Sequence, residues 1–157
     1  MTAEARVLIV ANRTAATAAL LEEVRARARR SPARFHLVVP ATPRGLHRLV
    51  DPDVAGREEA SANLEEALPK LSAAACHEVT GEVGDASPLA AITDAIHRGA
   101  GYDEIIVSTL PRRVSRWTRM DLPTQARDLG LPVTHVDPDA VDACVVDLDA
   151  ELVLGAR

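Results

Sequence analysis

The chain has 157 residues, a formal charge of −5, and 47% hydrophobic but only 2% aromatic side chains. That length fits one domain that buries roughly two-thirds of the surface its unfolded form exposes, with a core built from Ala, Val, Leu and Ile. The acidic balance, with no Lys/Arg run approaching a basic tail, argues against nucleic acid as the main partner, because such binding draws on clustered phosphate contacts.

Val7–Val10 is too short an apolar run for a secretory leader or a membrane span, so no membrane partner and a cytoplasmic location with reduced Cys76 and Cys144 are expected. His36, His47, His77, His97 and His135 show no ligand spacing, and no structural metal is expected.

Arg6–Ala11 is continuously apolar after its first residue, the pattern of a strand covered on both faces in a parallel sheet. Asn12, Arg13 and Thr14 carry capping chemistry, and Leu20, Leu21, Val24 and Ala28 recur at helical spacing, so the first helix ends near Ser31-Pro32. Phe35–Val39 is the second buried strand, and Ala41–Asp53, with Pro43, Gly45 and Pro52, reads as loop. Ala60, Leu64, Leu68, Leu71 and Ala75 form the apolar stripe of a second helix, which Pro69 should kink or split.

Glu78–Val83 is the third strand, ending in a turn at Gly84-Asp85. Ser87-Pro88 predicts the start of the third helix and Gly99 its stop. Glu104–Ser108 is strand four, Asp121–Leu129 with Gly130 behind it is helix four, and Val133–Val136 is strand five. Strands alternating with helices imply parallel pairing through right-handed crossovers, a doubly wound α/β fold. Residues 1–136 make up that domain. Asp137–Arg157 is an acidic extension in which Cys144–Val146 and Leu152–Leu154 need cover; it reads either as an added strand or short helix, even on a neighbouring subunit, or as a loosely attached tail.

The opening VLIVANRT, the stretch GEVGD-x-x-PLAAITDA, and EIIVST and LPVTHV resemble the universal stress protein family over about Val7–Val136. The resemblance implies a five-stranded parallel sheet of order 3-2-1-4-5 with helices on both faces. It also implies a nucleotide site at the switch between strands one and four. In ATP-binding members an acid after strand one and a loop of pattern G-x2-G-x9-G-[S/T] after strand four hold the nucleotide. Glycines let the backbone approach the phosphates, and the following helix presents unpaired N–H groups.

Aligned without gaps from EIIV, this chain places Ser108, Pro111, Asp121 and Leu122 at the four motif positions, and Asn12 replaces the acid. Pro111 has no N–H to donate, and Asp121 sets a carboxylate where phosphate would approach; it reads as an N-cap. The family's ATP site is therefore not carried over as it stands, and no cofactor is assigned, ATP or another nucleotide remaining an open option.

The loop after strand four offers Ser108, Thr109, Arg112, Arg113, Ser115 and Arg116 instead, with Arg119 one turn on. A helical arrangement would align Arg112, Arg116 and Arg119 on one face, which suits phosphate or carboxylate. The alternative is a solvated arginine surface around a buried Trp117. Asn12, Arg13 and Thr14 should lie beside this loop, either as part of the site or as helix caps alone.

Two functions are compatible with these residues. One is a regulatory or stress-response protein that binds a nucleotide or other anionic small molecule through the arginine loop. The other is a ligand-free dimeric interaction module; members of the resembling family commonly pair through strand five, and a homodimer is expected. No Gly-x-Ser-x-Gly elbow, Walker loop or nucleophilic Cys with a base points to an enzyme.

Overall fold

The computed structural model describes residues 3–42, 52–99, 101–110 and 121–137. Five parallel strands form one sheet: β1 (Ala5–Val10), β2 (Ala33–Pro40), β3 (Thr80–Gly84), β4 (Glu104–Ser108) and β5 (Val133–Val136). Their order is β3-β2-β1-β4-β5. Helices α1 (Ala18–Arg30), α2 (Pro52–Ala75), α3 (Pro88–Arg98) and α4 (Leu122–Arg127) supply the crossovers. The expected doubly wound architecture and strand order are both present.

Alternation along the strands divides the core into two layers, as the two-residue period of a strand requires. Val7 and Ile9 of β1 face Leu20 and Val24 of α1 and Leu71 of α2. Leu8 and Val10 face Ala91 and Ile92 of α3 and Ala126 of α4. These side chains are essentially out of water, and each large one contributes about 1.5–3 kcal/mol through its burial.

Small residues set the spacing between layers. A Cβ on Gly84 would meet Ala91 Cβ at 2.7 Å and Val38 Cγ1 at 2.8 Å, so the end of β3 lies close under α3 only because this position has no side chain. Ser87 starts α3 as expected, its Oγ accepting from the Ala90 N–H at 3.4 Å, and Gly99 ends it.

Several expectations about helix ends are corrected. The chain continues as helix through Pro69, which is exposed, so the Glu65 carbonyl that loses its donor lies on the solvent side. Helix α1 starts at Ala18, with Thr17 at its N-cap position and no side-chain cap. Asn12–Thr14 instead form turns: Ala15 N–H donates to Asn12 O at 3.1 Å and Thr17 N–H to Thr14 O at 3.2 Å. Asp121 precedes α4 but is left-handed at φ 53° and does not cap it; its carboxylate accepts the Thr124 hydroxyl at 2.8 Å. Helix α4 is shorter than the predicted Asp121–Leu129.

Candidate functional site

Strands β1 and β4 are neighbours, while their chains leave the sheet in opposite lateral directions toward β2 and β5. A crevice at their carboxyl ends is the place where doubly wound folds bind ligands. The residues there are Asn12, Arg13 and Thr14 after β1, and Ser108 and Thr109 at the end of β4.

Thr14 joins the two halves. Its hydroxyl, 2% exposed, donates to the Ser108 carbonyl at 3.0 Å and pins the turn after β1 onto the end of β4. The Ser108 side chain is fully buried, and its Oγ has no hydrogen-bond partner among the described residues. A buried hydroxyl in that condition costs about 1–3 kcal/mol.

Asn12 is engaged at both ends of its amide. Its Nδ2 donates to the Pro40 carbonyl at the end of β2 at 2.9 Å, and its Oδ1 accepts from Asn63 Nδ2 of α2 at 2.8 Å. This amide braces three elements where an acid would otherwise face the crevice. A carboxylate could not make the first bond, since it has no N–H. Arg13 extends to α2, its Nε 3.0 Å from Glu59 Oε1, with the side chain half exposed.

Thr109 reaches the other way, across to β5. Its Oγ1 lies 2.7 Å from His135 Nε2, and its N–H donates to the Val136 carbonyl at 3.2 Å. The structure thus brings Asn12, Thr14, Ser108 and Thr109 together along one rim and turns Arg13 to α2. Arg112, Arg113, Ser115 and Arg116 lie outside the described residues, as do Trp117 and Arg119.

Two participants were missed at the level of sequence. Asn63 falls on the apolar stripe of α2 between Ala60 and Ala67, so a polar residue at a core-facing position was its signal. His135 is the last residue but one of LPVTHV, paired in register with Val107 of β4, and only the strand order makes it Thr109's partner. Among the described residues no group of His, Cys, Asp and Glu could hold a metal, and no helix is long and apolar enough to cross a membrane.

The architecture defines a doubly wound α/β domain. Its fold is that of the universal stress proteins. The structure of a universal stress protein from Archaeoglobus fulgidus matches with a TM-score of 0.57 at 14% identity, over 84% of this chain and 93% of that one. A universal stress protein in complex with cAMP matches with a TM-score of 0.56 at 18% identity, covering 86% and 98%. The universal stress protein from Archaeoglobus fulgidus in complex with dAMP matches with a TM-score of 0.50 at 17% identity, covering 87% and 99%. No protein-family model matches the chain, and neither does any curated protein.

Proposed function

We propose that this chain is a divergent universal stress protein that acts by binding, and that it holds a nucleotide or other small anion at the rim between the turn after β1 and the end of β4. The observation that carries this reading is the Ser108 hydroxyl, fully buried and unpartnered among the described residues at the switch point. Support comes from the fold, which is shared with proteins solved as complexes with cAMP and dAMP. Arg112, Arg113, Ser115 and Arg116 follow Ser108 closely in sequence and would supply cationic donors in place of the missing glycine amides.

Calorimetry with ATP, ADP, AMP and cAMP tests the reading. At least one nucleotide should bind in the micromolar range, and Ser108→Ala and Arg112→Gln should weaken it. Silence from all four at high micromolar concentration overturns the proposal.

A second reading is favoured by the internal ties of Asn12 and Thr109, which leave little of the rim's chemistry for a ligand. In it, the chain is a ligand-free dimeric module whose contact runs along the sheet edge at β5, extended by residues 137–157. Sedimentation velocity decides this: a monomer at all working concentrations removes it. In both readings the protein works in the cytoplasm, without nucleic acid or membrane partners.

A further inference from the structure

The opposite rim of the sheet, at the amino ends of the strands, holds a cavity of about 220 Å³ lined by Arg6, Arg34, Phe35, His36, Thr80 and Tyr102. The chain has one Phe, one Tyr and one Trp. The sole tyrosine faces this cavity together with the His36 ring on the α3 side of the sheet, whereas Phe35, 3% exposed, turns its ring to the other face against His77. We propose that this cavity is a second binding site, for a small single-ring aromatic carboxylate.

The local backbone shapes the cavity. Strand β2 begins at Ala33, but β3 joins it only at the His36–Thr80 pair, so the first residues of β2 run on beyond the end of β3. The turn from α3 to β4 then swings Tyr102 across this rim. Gly101 takes φ +74°, and a Cβ on Gly99 would come within 2.8 Å of Tyr102 Cε2, so both positions need glycine for the ring to sit where it does. Arg6 and Asp103 clamp the turn from the other side, with Asp103 N–H donating to Arg6 O at 2.9 Å and Arg6 N–H to Asp103 Oδ2 at 2.7 Å.

The ring surfaces are held in place. His36 Nδ1 lies 2.8 Å from Thr80 Oγ1, and the His36 and Tyr102 ring centroids are 6.4 Å apart at a tilt of 31°. That separation is too small to admit a third ring between them, so a ligand ring lies across both. The charge for its carboxylate comes from Arg34, whose Nε donates to Glu4 Oε2 at 2.7 Å. No other hydrogen bond involves its guanidinium among the described residues, and the side chain is 72% exposed, which leaves the Nη groups facing solvent.

Size and charge narrow the ligand. Among the described residues no carboxylate lines the cavity itself, although Glu82 stands behind its His36 wall at 3.8 Å, where it is paired with Arg98 at 3.3 Å. The adjoining cavity of about 400 Å³, which shares Arg34, Phe35 and Thr80, is lined by Glu4 and Glu78. An anion too large for the first lobe would meet those two acids, so one ring with one carboxylate fits and an extended polyanion such as a nucleoside triphosphate does not.

Tyr102 is the sole tyrosine, so protein made with 3-fluorotyrosine gives one ¹⁹F resonance at the site. Benzoate should shift it saturably, with a dissociation constant on the order of 1 mM or tighter. Neutral benzamide should bind about tenfold more weakly, as should benzoate to Arg34→Gln, because both remove the charge-assisted pair. A shift that grows linearly with benzoate, or equal titrations by benzamide and benzoate, overturns the proposal. If Arg34→Gln did not fold, the benzoate and benzamide comparison on the unaltered chain would still decide. This test is independent of nucleotide binding at the other rim: failure of the calorimetry leaves it standing, and the reverse also holds.

Discussion

Asn12→Asp puts back the acid of the ATP-binding pattern, and the structure says that it will not be tolerated quietly. In the folded chain Asn12 is 4% exposed, and its Nδ2 faces the Pro40 carbonyl at 2.9 Å. The substitution replaces that donor with an oxygen, so two acceptors meet in a buried site while Asn63 still donates to the other oxygen. Losing the bond and leaving a buried charge against a carbonyl should cost about 3–4 kcal/mol at neutral pH, or a fall in Tm of about 10 °C for a domain of this size. The sign with pH follows from burial. The new carboxyl titrates above its unfolded value of about 3.9, because only the protonated form can donate to Pro40 O. The folded variant then holds a proton that the unfolded chain has released. Relative to wild type it is therefore least impaired below about pH 4, and it loses stability as the pH rises from there to the folded pKa. Urea unfolding of Asn12→Asp, Asn12→Ala and wild type across that range measures both effects, since the alanine variant should be destabilised without the added slope. An aspartate variant as stable as wild type at pH 7, with no slope, would refute the assignment of Asn12 as a buried brace.

Three further outcomes are expected. Ser108→Ala removes a buried hydroxyl with no partner among the described residues, so the ligand-free protein should unfold at equal or higher denaturant, by up to about 1 kcal/mol, while any nucleotide affinity falls. Gly84→Ala forces a Cβ to 2.7 Å from Ala91 Cβ, and chemical denaturation should show a loss of about 1–3 kcal/mol from overpacking between β3 and α3. The phenol of Tyr102 should ionise above its ordinary value of 10.0, because partial burial and then the nearby Glu82 disfavour the phenolate, with Arg6 and Arg98 opposing them. Its stabilising contribution is thus complete below about pH 10 and is lost as pH rises through the folded value; absorbance at the phenolate band follows the titration, and a midpoint at or below the ordinary value would count against the burial argument.

How much of this was legible without coordinates differs between core and rim. The apolar runs Val7–Val10 and Ile105–Val107 and the Ser87-Pro88 helix start identified their elements, because hydrophobic period and capping chemistry are local properties. The helix start at Asn12 and the side-chain cap expected of Asp121 were misjudged for a physical reason. Asn and Asp side chains bond equally well to a helix end, a turn or a distant carbonyl, and at Asn12 the distant partners, Pro40 and Asn63, prevailed. That α2 is not split at Pro69 was hidden because the cost of proline depends on whether the carbonyl it deprives can reach water, which requires knowing which face is exposed. The Thr109–His135 pair needs strand order, and so does the meeting of His36 on β2 with Tyr102 before β4; neither is a property of any short segment.

The two rims of the sheet therefore answer different chemical demands. At the carboxyl rim, side chains hold the loops: Asn12 braces β2 and α2, Thr14 secures the end of β4, and Thr109 engages β5. A ligand there must either use groups beyond these or displace one of them, and Thr109, bonded to His135, is the next residue after Ser108 in the chain. Displacing it would free the His135 ring, so nucleotide binding by displacement should move the His135 ring signals in proton NMR and leave Tyr102 still, whereas an aromatic acid at the amino rim should do the opposite. A ligand that moved both sets together would mean that the sheet transmits between its rims, and β4, which begins two residues after Tyr102 and ends at Ser108 beside the Thr109–His135 pair, is the shortest strand path for that coupling.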